Sequence, residues 1–279
     1  MTVTGLKPEL APPPVSLARR IGRDLVGFIA LPGRAPRRLA SSAPMLQTAR
    51  LALGLFATAV LIGAAMLLLD GWAYAQAKRV PIWVIDAFNH ITDAGKSGWF
   101  LWPLGILIVA LAALATTMHR LARLTIVSLI VRLEFIFVAI ALPGLIVTVV
   151  KRLIGRVRPS AMGPFAYMPF SWRPDYAGMP SGHATTAFAV AVALGAIWPR
   201  ARPLLWLYAV VIALSRVVIS AHYVSDVVAG ACVGGFTALL IRSFFAARRL
   251  GFVATADGKV HALPGPSLRR IARLFTPAS

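Results

Sequence analysis

The sequence predicts an all-α, polytopic membrane protein with six transmembrane helices, and three observations carry that expectation. Hydrophobic residues make up 58% of the 279 and charged residues only 14%, where soluble domains carry about a quarter charged. Apolar runs near the roughly 20 residues that a helix needs to cross a bilayer recur at about 50–69, 99–117, 125–149, 183–199, 203–220 and 224–246. Lys and Arg gather mostly between and beyond these runs.

The first run begins only near residue 50, behind a basic, proline-bearing stretch, so a cleaved leader is not expected. Residues 1–48 read as a basic N-terminal tail, 49–248 as the six-helix membrane unit and 249–279 as a basic C-terminal tail. In the first tail Leu17, Ile21, Leu25 and Phe28 recur at helical spacing beside Arg19, Arg20 and Arg23. In the second, Leu268, Ile271, Leu274 and Phe275 alternate with Arg269, Arg270 and Arg273. Such basic amphipathic segments suit anionic lipid headgroups; solvated, disordered tails are the competing reading.

The net charge of +20 could suit nucleic acid, but its distribution argues against such a partner. The tails and the turns carrying Arg120, Arg123, Arg200 and Arg202 all fall on one side of a six-span chain. The positive-inside rule makes that side cytoplasmic, with both termini inside. Cys232 is the sole cysteine, so no intramolecular disulfide and no cysteine-based metal site is expected.

On the opposite side, residues 78–98 form an amphipathic connection. Trp83, Phe88, Trp99 and Trp102 read as interfacial anchors. Asp86, His90 and Asp93 are given no chemistry there. Arg132 and Glu134 interrupt the third run, two residues apart and so on different helix faces. Arg132 lies near enough to an end to snorkel, whereas Glu134 has no explanation in the sequence.

Three polar segments emerge together on the non-cytoplasmic side. The first, KRLIGRVRPS, puts Lys151, Arg152, Arg156 and Arg158 where the charge rule wants few cations. Lys151 and Arg158 face one site if the segment stays helical, and fixed cations bind anionic oxygens. The ordinary reading is a juxtamembrane cluster touching headgroups. The second, MPSGHATT, opens a helix whose free N–H groups favour an anion. There Ser181 adds a hydroxyl and His183 a proton carrier; an ordinary N-cap by Ser181 is the alternative. The third, SRVVISAHYVSD, brings Arg216 beside His222 and Asp226, which share a helix face at i and i+4. A carboxylate on one imidazole nitrogen fixes the tautomer and raises the basicity of the other. The loop at 160–179 between the first two segments is expected to roof the site. Its Phe165, Tyr167, Phe170, Trp172 and Arg173 either meet the substrate or sit at the interface.

These segments resemble the signatures of the type 2 phosphatidic acid phosphatase (PAP2) superfamily: Lys-x6-Arg-Pro, Pro-Ser-Gly-His and Ser-Arg-x5-His-x3-Asp. Here they read Lys151 to Arg158–Pro159, Pro180–Ser181–Gly182–His183, and Ser215–Arg216 to His222 and Asp226, in that order. The resemblance covers roughly residues 50–246 and implies a PAP2-type helical bundle. It implies that His222 attacks phosphorus, that Asp226 orients it, and that a phosphohistidine forms. His183 would be general acid and then base, while Lys151, Arg158, Ser181, Gly182 and Arg216 hold the phosphate. No metal and no cofactor is expected, fixed cations standing in their place. The site is expected at the membrane surface on the periplasmic side of a bacterial inner membrane. The substrate would be a lipid phosphomonoester or pyrophosphate: undecaprenyl pyrophosphate, phosphatidylglycerol phosphate, phosphatidic acid or lipid A. A phosphotransferase passing the phosphoryl group between lipids is the alternative, and a non-catalytic lipid transporter a further one.

Overall fold

The computed structural model describes residues 44–161, 166–255 and 258–272, with parts of 16–36. The amphipathic pattern of the N-terminal tail at Leu17, Ile21, Leu25 and Phe28 lies outside the described residues, as do Phe165, Leu274 and Phe275. Among the described residues the chain forms nine α-helices and one small hairpin. Helix α1 (Pro44–Ala64) runs through a π turn (Ala65–Leu69) into α2 (Asp70–Ala77). Then follow α3 (Ile82–Asp93), α4 (Gly98–Ala115), α5 (Arg120–Ile154), α6 (Gly182–Ile197), α7 (Arg202–Val218) and α8 (Val224–Ala247). The chain closes with strands β1 (Phe252–Ala254) and β2 (Val260–Ala262) and helix α9 (Leu268–Ala272).

Among the described residues, five helical stretches are long and apolar enough to cross a membrane, including α5, α7 with its leading turn, and α8. The sixth apolar helix, α6, is only 16 residues, or roughly 24 Å at helical rise. Its start is fixed by the Pro180–Ser181 turn and its end by Trp198–Pro199. The rows of Leu, Val and Trp exposed along α1, α4 and α7 are what a bilayer covers.

At the centre stands α5, whose buried Val131, Phe135, Ala139 and Ile140 meet Ala189, Val190 and Ala193 of α6 and Ala238 and Phe245 of α8. Phe135 packs edge-on against Phe245 and Phe252, centroids 5.5 and 4.6 Å away. The core therefore continues past the last apolar helix. Phe252 opens the β1–β2 hairpin, antiparallel with Phe252 opposite Ala262. Arg132 turns toward the C-terminal segment. Its guanidinium donates to Ser128 and to the carbonyls of Leu263 (2.9 Å) and Pro264 (3.0 Å), tying the hairpin's exit to α5. Glu134 is buried with neither carboxylate oxygen hydrogen-bonded among the described residues, and nothing in the structure explains it.

Helices α6 and α8 approach most closely through Gly230 and Gly234, a small-xxx-small pair of the kind that lets membrane helices touch backbone to backbone. A Cβ on Gly230 would strike the carbonyl of Ser181, and one on Gly234 the carbonyl of Thr185. Gly235, one residue on, faces open space. Gly234→Ala is therefore expected to destabilise the bundle by about 1–3 kcal/mol, lowering the unfolding temperature in detergent. Gly235→Ala should leave that temperature unchanged within error.

Candidate active site

Each polar segment reaches the site by a different local device. Helix α5 stops at Ile154 because Gly155 turns left-handed (φ 62°). A side chain there would collide with the Met168 carbonyl. The expectation that Lys151 and Arg158 share a helix face is thus corrected: the helix ends between them. They remain within electrostatic reach of each other because the chain folds back. The roofing loop holds that fold. Val157 N–H donates to Ala166 O (3.0 Å), Arg158 N–H to Asp175 O (2.8 Å) and Gly178 N–H to Arg156 O (2.9 Å). Arg158 Nε donates to the Pro174 carbonyl at 3.1 Å, which fixes the direction of its side chain.

Ser181 occupies the N-cap of α6, yet its hydroxyl makes no cap bond, and Oγ is buried with no hydrogen-bond partner among the described residues. The backbone carries the junction instead. Ser181 N–H donates to Asp226 O (2.9 Å), and its carbonyl accepts from Thr185 N (3.0 Å). That pins the start of α6 to the first turn of α8. Lys151 Nζ lies 3.7 Å from where a Cβ on Gly182 would stand, so the ammonium sits against the bare helix N-terminus.

Helix α7 ends in a turn through Ser220 (φ 52°), whose next two N–H groups both donate to Arg216 O. This folds His222 back toward Arg216. His222 Nδ1 lies 3.6 Å from Asp226 Oδ2, an approach too long for a hydrogen bond. Oδ2 accepts from Tyr223 N–H at 3.0 Å. His222 is 3% exposed and Asp226 0%, so the pair lies inside the bundle. Burial pushes the His222 imidazole below the ordinary histidine range; Asp226 opposes this, while Arg158 and Arg216 add to it. Arg216 and His222 also act on His183, so the three signatures meet at one place.

Sequence reasoning missed four participants. Thr92, in the connection given no chemistry, accepts from Arg216 Nη1 at 2.8 Å through Oγ1. Gly95 lets that connection pass against His183, since a Cβ there would lie 3.0 Å from the ring. Arg156, counted only as one of a basic cluster, is fully buried: Nη1 donates to Asp226 Oδ1 and Ser225 Oγ, each at 2.6 Å, and Nη2 to Asp70 Oδ2 at 2.7 Å. Asp70, at the end of the π turn, also accepts from Ser225 N (2.9 Å) and Ser225 Oγ (2.6 Å). A lone carboxylate closing the first apolar run was the available signal, because such charges are costly in a membrane. Of the roofing residues, Trp172 and Phe170 are largely exposed, and Arg173 pairs with Asp175 at 3.6 Å.

Comparison with known proteins gives the family. Residues 133–250 match the family model described as the PAP2 superfamily. The chain is 32% identical over 209 residues to the lipid A 1-phosphatase of Rhizobium etli, covering 73% of this chain and 89% of that protein. The lipid A 1-phosphatase of Rhizobium johnstonii matches at the same identity over 84% of its length. Among solved structures, a PAP2-type phosphatidylglycerolphosphate phosphatase from Bacillus subtilis aligns with a TM-score of 0.43 and 21% identity over 81% of this chain and 95% of that one. With 89% of a curated relative matched at 32% identity and the family model spanning all three polar segments, the chain belongs to the PAP2 superfamily and is a phosphatase of the membrane.

Proposed function

We propose that the protein hydrolyses a phosphate carried by a membrane lipid through a phosphohistidine on His222. One observation carries the reading. Three buried polar atoms from two of the signature segments, Ser181 Oγ, His183 Nε2 and Arg216 Nε, have no hydrogen-bond partner among the described residues. Buried polar groups are almost always paired, so a set of orphans at one place calls for a ligand. A phosphate group supplies the acceptor oxygens that Ser181, Arg216, Lys151, Arg158 and the Gly182 N–H all seek.

In the first step His222 Nε2 attacks phosphorus and the bond from phosphorus to the lipid oxygen breaks. His183 donates its proton to that departing oxygen; a bound phosphate dianion beside the ring favours the protonated form it needs. The developing imidazolium of His222 faces Asp226. In the second step His183 accepts a proton from water, the water oxygen attacks phosphorus, and the nitrogen–phosphorus bond breaks to release phosphate. Most of the rate gain comes from charge and positioning, as in phosphoryl transfer generally.

The relatives named as lipid A 1-phosphatases make the 1-phosphate of lipid A the first substrate to test. Phosphatidylglycerol phosphate, phosphatidic acid and undecaprenyl pyrophosphate follow. We place the site on the periplasmic side of a bacterial inner membrane, with both termini cytoplasmic. Phosphate release from this panel by purified protein in detergent tests the reading. Release from lipid A that falls about 10³-fold or more in His222→Ala supports it. Equal release by wild type and mutant would remove His222 from the chemistry, and transfer to a lipid acceptor without free phosphate would point to a phosphotransferase.

Because His222 must be neutral to attack and its burial holds it below the ordinary range, activity should persist on acidification past the usual histidine midpoint of about 6.5. A pH profile of kcat/KM checks this. An acidic limb above that value would contradict the buried, neutral His222.

A further inference from the structure

Behind the imidazole lies a layer of charge of which the reaction as described uses only Asp226. Asp70, Arg156 and Asp226 are each 0% exposed and come from α2, the turn after α5, and α8. Two carboxylates and one guanidinium leave one net negative charge. Arg156 on its own would have neutralised Asp226. The groups acting on the His222 ring are Asp226 from α8, Arg158 from the turn after α5, Arg216 from α7 and His183 from α6. Of these Asp226 alone is negative, and its charge is already shared with Arg156. Asp70 restores it. The two ends of the network are close: Asp70, His222, Tyr74, Ser220 and Tyr223 line one cavity of about 10 Å³, room for about one water. The Arg156 guanidinium also lies 4.6 Å from the Tyr223 ring centroid, which closes the layer on that side.

Resting on the reading of His222 as nucleophile, we propose that Asp70 and Arg156 are positioning residues for it. Arg156 locks the Asp226 carboxylate by one oxygen so that the other is left facing the imidazole. Asp70 keeps the cluster anionic, so that a counter-charge awaits the imidazolium that forms as the nitrogen–phosphorus bond is made. Neither residue is placed against the lipid. Their loss should therefore slow the chemical step and leave substrate binding nearly intact.

The competing role for Asp70 is a purely structural tie between α2 and the first turn of α8, through Ser225. Asp70→Asn and Asp70→Glu separate the two. Asn keeps the size and removes the charge, whereas Glu disturbs the packing and keeps the charge. Two readouts are taken on protein checked for monodispersity in detergent: kcat and KM on the lipid substrate, and the pH midpoint of His222 modification by diethyl pyrocarbonate, followed by mass spectrometry.

Asp70→Asn is expected to lower kcat about 10- to 100-fold, the loss typical of removing a group that orients a reactive one, with KM within about twofold of wild type. Removing a negative charge disfavours the imidazolium, so the modification midpoint should move to lower pH. Asp70→Glu should lose less activity and hold the wild-type midpoint. Arg156→Lys keeps the charge but not the fork that reaches both carboxylates, and should lose about tenfold or more in kcat. Equal effects of Asn and Glu, an unmoved midpoint in Asp70→Asn, or aggregation of both Asp70 variants would assign Asp70 a structural role and overturn the proposal. If wild type releases no phosphate from any lipid, the phosphatase reading falls, and the modification midpoint still decides the role of the Asp70 charge.

Discussion

A guanidinium shut away from solvent is the interaction on which the site depends. An unpaired buried charge is prohibitively costly, and removing one partner of a buried pair typically costs about 3–5 kcal/mol. Burial pushes the Arg156 guanidinium down, Asp226 and Asp70 push it up, and the upward push prevails. Its two ion pairs, 2.6 Å to Asp226 and 2.7 Å to Asp70, join three parts of the chain far apart in sequence. Because Asp226 also holds the N–H of Tyr223, fixing Arg156 fixes the entry into α8 and with it the turn that presents His222.

A second constraint acts at shorter range. The α6–α8 contact is made by glycines against carbonyls, so the start of α6 cannot shift without displacing Asp226. Close approach of backbones replaces the hydrophobic drive that lipid removes. The same contact sets the Ser181 hydroxyl and the α6 N-terminus beside Lys151. Rigidity in the scaffold thus becomes alignment of the polar groups in the site.

The roof and the first connection are held differently, by backbone hydrogen bonds and by single side chains. Thr92 on Arg216 and Arg158 on the Pro174 carbonyl are contacts of this kind. The aromatic residues Trp172, at 82%, and Phe170, at 75%, stand exposed on this roof. Two polar residues of α5 diverge in the same bundle. Arg132 binds the C-terminal segment, whereas Glu134 has no partner among the described residues.

Composition and hydropathy alone determined the membrane-spanning helical class, because apolar runs of bilayer length have no other use in a chain this poor in charge. The order and spacing of Lys151, Arg158, Ser181, His183, Arg216, His222 and Asp226 fixed which residues to look at, since chemistry dictates residue type and local geometry dictates short spacings. Spacing failed where the chain turns: nothing within the first signature shows that Gly155 ends the helix between its two cations. It also failed wherever partners are remote. Arg156 lies 86 residues from Asp70 and 70 from Asp226, and no local pattern links positions so far apart. Burial of His222, the pairing of Thr92 with Arg216 and the anionic layer behind the imidazole were decided only when the helices packed, because each depends on side chains that share nothing but the interior of the bundle.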